Sequence, residues 1–170
     1  SYPYVTRDEL MRQMSSKRTS FPTYESYSEA SLDDIFTNKE LGKAGNLTAE
    51  RLETTVFERK SNSKFEVNPL PIQAQFSPVF ATVSFDYNSD GYKDLLMCGN
   101  INQARLRFGK YDANYGILLQ GNGQGQFTYV PQHKSGFKLT GDVRSIVEVD
   151  DQLLFGINGK GVEIYKNRKK

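Results

Sequence analysis

The chain has little of the chemistry on which most enzyme sites are built. It carries one cysteine, Cys98, and one histidine, His133, in 170 residues. A single cysteine excludes a disulfide within the chain. Cys98 lies in an apolar run, Leu95-Leu96-Met97-Cys98, which reads as a buried, inert thiol rather than a nucleophile. His133 sits in Pro131-Gln132-His133-Lys134, a loop by composition, and reads as a surface residue. No serine or cysteine occupies a nucleophile motif. Neither sign of charge prevails: 22 basic and 20 acidic residues leave a net +2. That balance supplies no basic patch of the kind that binds nucleic acid. The basic run Lys166-Asn167-Arg168-Lys169-Lys170 reads as a solvated tail. No apolar stretch is long enough to span a bilayer. No leader peptide is visible, and the first residue is Ser1 rather than Met, so the chain reads as a mature or expressed piece of something longer. Asn46-Leu47-Thr48 is a glycosylation sequon by pattern alone.

The residues that are present suit a globular chain with a modest core, 37% hydrophobic and 25% charged. Their pattern changes near residue 50. The first part, 1–49, reads as a short helical segment. Thr6-Arg7-Asp8-Glu9 is a capping box followed by Leu10, Met11 and Met14 at helical spacing. Thr23 or Ser28 opens a second helix carrying Ala30, Leu32, Ile35 and Phe36. Thr37-Asn38-Lys39-Glu40 caps a further turn that Gly42 ends. Tyr2, Tyr4, Phe21, Tyr24 and Tyr27 crowd this region and read as packing residues. From residue 50 the pattern is β. The expected strands are Leu52–Glu58, Lys64–Val67, Pro78–Phe85, Asp94–Cys98, Arg105–Phe108, Tyr115–Gln120, Gln126–Val130, Val143–Val149, Gln152–Gly156 and Val162–Tyr165, with Asn, Ser, Gly and Asp in the turns.

The chemistry concentrates between two of these strands, in Asp86-Tyr87-Asn88-Ser89-Asp90-Gly91-Tyr92-Lys93-Asp94. Asp86, Asn88 and Asp90 alternate, so each can send an oxygen inward. Gly91 permits a sharp turn, Tyr92 can offer its carbonyl, and Asp94 adds a last carboxylate. Three carboxylates this close repel one another, and the spacing points to Ca²⁺ as the neutralising ion. An EF-hand is excluded, because its twelfth-position Glu is replaced by Met97 and the flanks are strands, not helices. Other polar clusters carry less. Gly121-Asn122-Gly123-Gln124-Gly125 leads into a strand and lacks the lysine of a phosphate loop. Asp33-Asp34 and Asp150-Asp151 are adjacent in sequence, and adjacent strand residues point to opposite faces, so neither pair need act as an acid/base couple.

The β half also repeats itself. Ser61-Asn62-Ser63-Lys64-Phe65 matches Asn122 to Phe127 when Phe65 is laid on Phe127. At nearly the same spacing Ala81–Phe85 meets Arg144–Glu148, and Asp94–Asn100 meets Asp151–Asn158. The second copy keeps the strands and has only Asp150-Asp151 where the first has its acidic loop. Residues 50–110 thus form a first repeat with the loop and 111–170 a second without it. Short strands repeated in this way are the pattern of propeller blades.

These residues carry a family resemblance. Asp86–Leu96 resembles the calcium loop of FG-GAP, or VCBS-type, repeats such as those of integrin α-chain propellers, and Asn122–Phe127 is similar to the hairpin of their blades. Tyr2–Leu10, Leu32–Phe36, Leu70–Val79 and Lys110–Gly116 are similar to the C-terminal end of bacterial VCBS-repeat proteins of the ASPIC/UnbV-like type. The resemblance implies a mainly β chain of β-propeller type, holding about two blades of a larger propeller behind a short helical N-terminal segment. It implies one Ca²⁺, with Asp86, Asn88, Asp90, the Tyr92 carbonyl and Asp94 as ligands. It also implies export to the cell surface, periplasm or exterior, and a non-enzymatic role binding or scaffolding a protein or glycan. The alternative is a non-catalytic part of a larger surface enzyme acting on carbohydrate. Tyr111, Asn114 and Tyr115 are candidate ligand contacts or, equally, packing residues between blades. A partial propeller leaves sheet edges open, so self-association through those edges is expected.

Overall fold

In the computed structural model, which describes residues 1–61 and 63–166, the chain is mainly β. The described residues form nine strands in three antiparallel sheets and five short α-helices. They divide into two compact units, Ser1–Glu50 and a second beginning at Arg51. Asn62 and residues 167–170, the greater part of the basic terminal run, lie outside the described residues.

The first unit is built from capped single turns. Helix α1, Arg7–Gln13, starts at Thr6: the hydroxyl accepts from the Glu9 N–H, and the Glu9 carboxylate accepts from the Thr6 N–H at 3.0 Å. Helix α4, Asn38–Leu41, repeats the device with Thr37 and Glu40. The single helix expected over Ala30–Phe36 is divided. Thr23 caps α2, Tyr24–Ser28, and α3, Leu32–Ile35, starts afresh at Ser31. Asp34 accepts from both the Ser31 N–H, at 2.9 Å, and its hydroxyl, at 2.7 Å. An acid three residues after a serine supplies a new start signal and outweighs helical continuity. The core is Leu10, Met11, Phe21, Tyr27, Ala30 and Ile35. Of the five crowded aromatics, Phe21 and Tyr27 meet edge-to-face at 5.8 Å inside it, whereas Tyr2, Tyr4 and Tyr24 are exposed.

The second unit stacks sheets. Strands β1 (Thr55–Arg59) and β2 (Phe65–Pro69) form a hairpin. β3 (Val79–Phe85), β4 (Asp94–Gly99), β5 (Ile117–Gly121) and β6 (Phe127–Val130) form a four-stranded meander. β7 (Asp142–Val149), β8 (Gln152–Asn158) and β9 (Gly161–Lys166) form the third sheet. The middle sheet is covered on both faces. Ala81, Phe85, Leu96, Cys98, Leu118 and Val130 pack against Val143, Leu153, Phe155 and Ile157 of the third sheet. Met97, Ile117 and Leu119 pack on the other side with Leu70 and Ala74, and Val56 of the first hairpin lies against them. Two-sided burial is why β4 and β5 read as unbroken apolar runs rather than alternating ones.

One expected strand is corrected. Arg105–Phe108 is a turn, not a strand, closed by the Phe108 N–H on the Arg105 carbonyl at 2.9 Å. It lies in the long connection between β4 and β5, where the Ile101–Tyr111 bridge gives it no strand to pair with. The sheets also group strands differently from the sequence repeat. The boundary between 50–110 and 111–170 falls between β4 and β5, which are hydrogen-bonded neighbours with Leu95 opposite Leu119 and Met97 opposite Ile117. A repeat has the same period wherever it is cut, whereas a sheet is bounded by its hydrogen-bond partners. The described sheets close neither a barrel nor a propeller.

Phe155 is fully buried between sheets, so Phe155→Ala should lower unfolding free energy by about 3–5 kcal/mol in a denaturant titration. In the first unit, the Thr37 N–H, then Lys17, hold the Glu40 carboxyl down at about 2. A depressed acid stabilises fully above its unfolded value and loses that contribution as pH falls through its folded value. The difference in thermal stability between the wild type and Glu40→Gln should therefore be present at neutral pH and disappear between pH 4.5 and about 2.

Candidate metal centre

The loop 86–93 joins the end of β3 to the start of β4, and backbone N–H groups organise its side-chain oxygens. Ser89 and Gly91 take positive φ, 62° and 86°, which folds the loop tightly enough for these contacts. Asp86 accepts from the Asp90 N–H at 3.2 Å and from the Gly91 N–H at 3.0 Å. Asn88 Oδ1 accepts from the same Asp90 N–H at 3.1 Å, so the Asp86 and Asn88 oxygens converge on one point. Asp90 accepts from the Tyr92 N–H at 2.8 Å and from the Asn88 amide at 2.8 Å. These donors, the Tyr92 N–H first, hold the Asp90 carboxyl below the usual carboxylate range. Gln120, on β5, reaches Asp90 at 3.3 Å.

Asp94 has a different place. It is fully buried at the first residue of β4 and accepts from the Tyr87 N–H at 2.8 Å and the Gly121 N–H at 2.9 Å. One carboxylate thus ties the start of the loop to the end of β5. Gly121 is required for that approach, because a side-chain carbon there would collide with the Lys93 carbonyl. Tyr92 gives its N–H to Asp90, while its ring lies over Gly123 of the β5–β6 turn.

The loop therefore brings Asp86, Asn88 and Asp90 together, and Asp94 stands at its base. Among the described residues no three Asp, Glu, His or Cys side chains gather as a metal-holding group. In kind, the donors fit a hard cation: they are carboxylate, amide and carbonyl oxygens. Each Asp94 oxygen accepts one N–H and keeps a second lone pair. The surroundings add acidity that sequence order does not reveal. Asp86 shares a cavity of about 230 Å³ with Glu148, Asp150 and Asp151 at the β7–β8 turn. Long-range packing makes that neighbourhood, and no local motif announces it.

A second, polar cleft of about 440 Å³ is lined by Asn102, Asp112, Tyr115, Thr140, Asp142 and Lys160, among others. Of the candidate ligand contacts, Tyr115 lies on its wall, and Tyr111 is half-exposed in the bridge to Ile101. Asn114 takes the structural of the two roles left open for it. It is buried, its N–H donates to Asn100 Oδ1 at 3.0 Å, and its carbonyl accepts from Asn100 Nδ2 at 2.8 Å. His133 is exposed, as expected of a surface residue, but lies in a short helix, α5 (Gln132–Ser135), rather than a loop. Comparison with protein-family models, curated proteins and solved structures returned no match.

Replacing Asp94 with alanine leaves the buried Gly121 N–H and the half-buried Tyr87 N–H without their acceptor. Each should cost roughly 1–3 kcal/mol. Urea unfolding of Asp94→Ala against Asp86→Ala should show the larger loss at position 94, the fully buried site.

Proposed function

We propose that the chain is a calcium-binding module of FG-GAP/VCBS type, part of an exported protein, that binds or scaffolds a protein or glycan outside the cytoplasm. The observation that carries this reading is the loop 86–94, whose alternate side-chain oxygens turn inward on a tight turn anchored by a buried carboxylate. The four-stranded antiparallel meander β3–β6 supports it, since a propeller blade is built that way. Asp86, Asn88, Asp90, the Tyr92 carbonyl and Asp94 would hold one ion. The β7–β8 turn has only Asp150 and Asp151 in the corresponding place, so one ion per chain is expected. When bound, Ca²⁺ neutralises the clustered carboxylates. The chain's own part is to exchange N–H···O bonds within the loop for oxygens directed at the ion, while the Gly121 N–H keeps the loop base on β5. The role of the ion is structural, because extracellular calcium keeps even a weak site occupied. The polar cleft beside Tyr115, with amides, hydroxyls and one aromatic wall, suits a sugar or polar peptide as ligand.

Thermal unfolding with millimolar Ca²⁺ and with chelator tests the reading. An ion at about 100 times its dissociation constant adds ~2.7 kcal/mol. For a chain of this size the midpoint should rise by roughly 5–10 °C in the wild type and stay fixed in Asp90→Ala. Equal midpoints in both conditions for the wild type would reject the proposal.

A further inference from the structure

The sheet stack ends in two exposed apolar faces, and their register shows that they are complementary. Hairpins β3–β4 and β7–β8 have the same pairing, each with a one-residue shift, between Val79 and Ala81 and between Val143 and Ser145. Aligned on that shift, the pair Val83–Leu96 falls on Val147–Leu154, and Phe85 falls on Val149. In the next strand Leu118, opposite Leu96, falls on Ile164, opposite Leu154. In the middle sheet the Val83–Leu96–Leu118 face is covered by the third sheet. In the third sheet the equivalent face is bare: Val147 is 53% and Ile164 59% exposed, with Val149 and Val162 beside them.

The other end mirrors this. Hairpins β1–β2 and β5–β6 also share a register, with Arg59 opposite Phe65 and Gly121 opposite Phe127, each pair separated by five residues of sequence. Val56 then corresponds to Leu118, and Phe57 to Leu119. In the middle sheet the Leu119 face meets the first hairpin through Val56. In the first hairpin the equivalent face, Phe57 and Phe65, is 59% and 60% exposed. Both internal interfaces therefore join a Leu118-type face to a Leu119-type face of the neighbouring sheet, and the stack leaves one of each type uncovered. Apolar sheet faces of this kind mark interaction sites.

We infer that the exposed β7–β9 face docks on the exposed β1–β2 face of a second copy of this chain, head to tail, continuing the packing between sheets inside each copy. Such an interface uses two different patches, so association proceeds beyond a dimer or closes a ring. It involves sheet faces, not sheet edges, and does not depend on the metal reading. Sedimentation of the wild type across a concentration series should show mass rising from monomer to dimer and larger species. The double variant Val147→Lys/Ile164→Lys, and separately Phe57→Lys, should each remain monomeric with an unchanged circular-dichroism spectrum, because all three side chains are exposed. Mixing the two variants should restore a dimer and nothing larger, since each supplies one intact end. A wild type that stays monomeric at every concentration overturns the proposal. So does a mixture that fails to pair while the wild type associates, since that result indicates a symmetric contact through a single patch.

Discussion

Burial of the middle sheet on both faces is the constraint on which the rest of the second unit depends. Leu96, Leu118 and Leu119 are all fully buried, yet Leu118 points to one side of the sheet and Leu119 to the other. A sheet of this composition is stable only with a layer on each side, and the first hairpin and the third sheet supply those layers. Tight glycines follow from that arrangement. Gly99 lies against the Pro78 carbonyl and Gly121 against the Lys93 carbonyl, at the two ends of the sheet, where any side chain would force the strands apart.

The acidic loop is an outgrowth of this sheet and takes its order from it. Asp94 belongs both to the loop and to β4, and its bond from the Gly121 N–H passes through the sheet interior. A buried carboxylate is tolerated there because backbone N–H groups serve both of its oxygens. The remaining ligand oxygens, on Asp86, Asn88 and Asp90, are held mainly by bonds within the loop, with the Gln120 amide of β5 reaching Asp90 from outside it. This division gives the loop a fixed base and an adjustable rim, an arrangement suited to closing around an ion. The cleft beside Tyr115 is ordered by a separate set of polar contacts: Asp142 accepts from the Asn102 N–H at 2.8 Å, and Lys160 reaches Thr140 Oγ1 at 2.7 Å.

Local features were legible in the sequence and long-range ones were not. The capping boxes at Thr6 and Thr37 announced α1 and α4, because each signal lies within four residues. The apolar runs and turn residues marked the places of all nine strands. Arg105–Phe108 had the composition of a strand and failed for lack of a partner, which no local pattern encodes. Ser31 and Asp34 carried a start signal that a reading of helical continuity through Ala30–Phe36 passed over. At the candidate site, the alternation of Asp86, Asn88 and Asp90 was visible from spacing alone. The anchoring of Asp94 by Gly121, the approach of Glu148 and Asp150 to Asp86, and the burial of Asn114 against Asn100 depend on which strands become neighbours. That choice is made by packing, so these contacts emerge only with the fold.

The most direct test of the central claim is a count of calcium bound at equilibrium by the intact chain, in dialysis against the free ion. One ion per chain, falling to none in Asp90→Ala while the circular-dichroism spectrum is unchanged, is the predicted result. No bound calcium at millimolar free ion, in a folded wild-type chain, would contradict it and leave the 86–94 segment as an acidic turn held by its own hydrogen bonds.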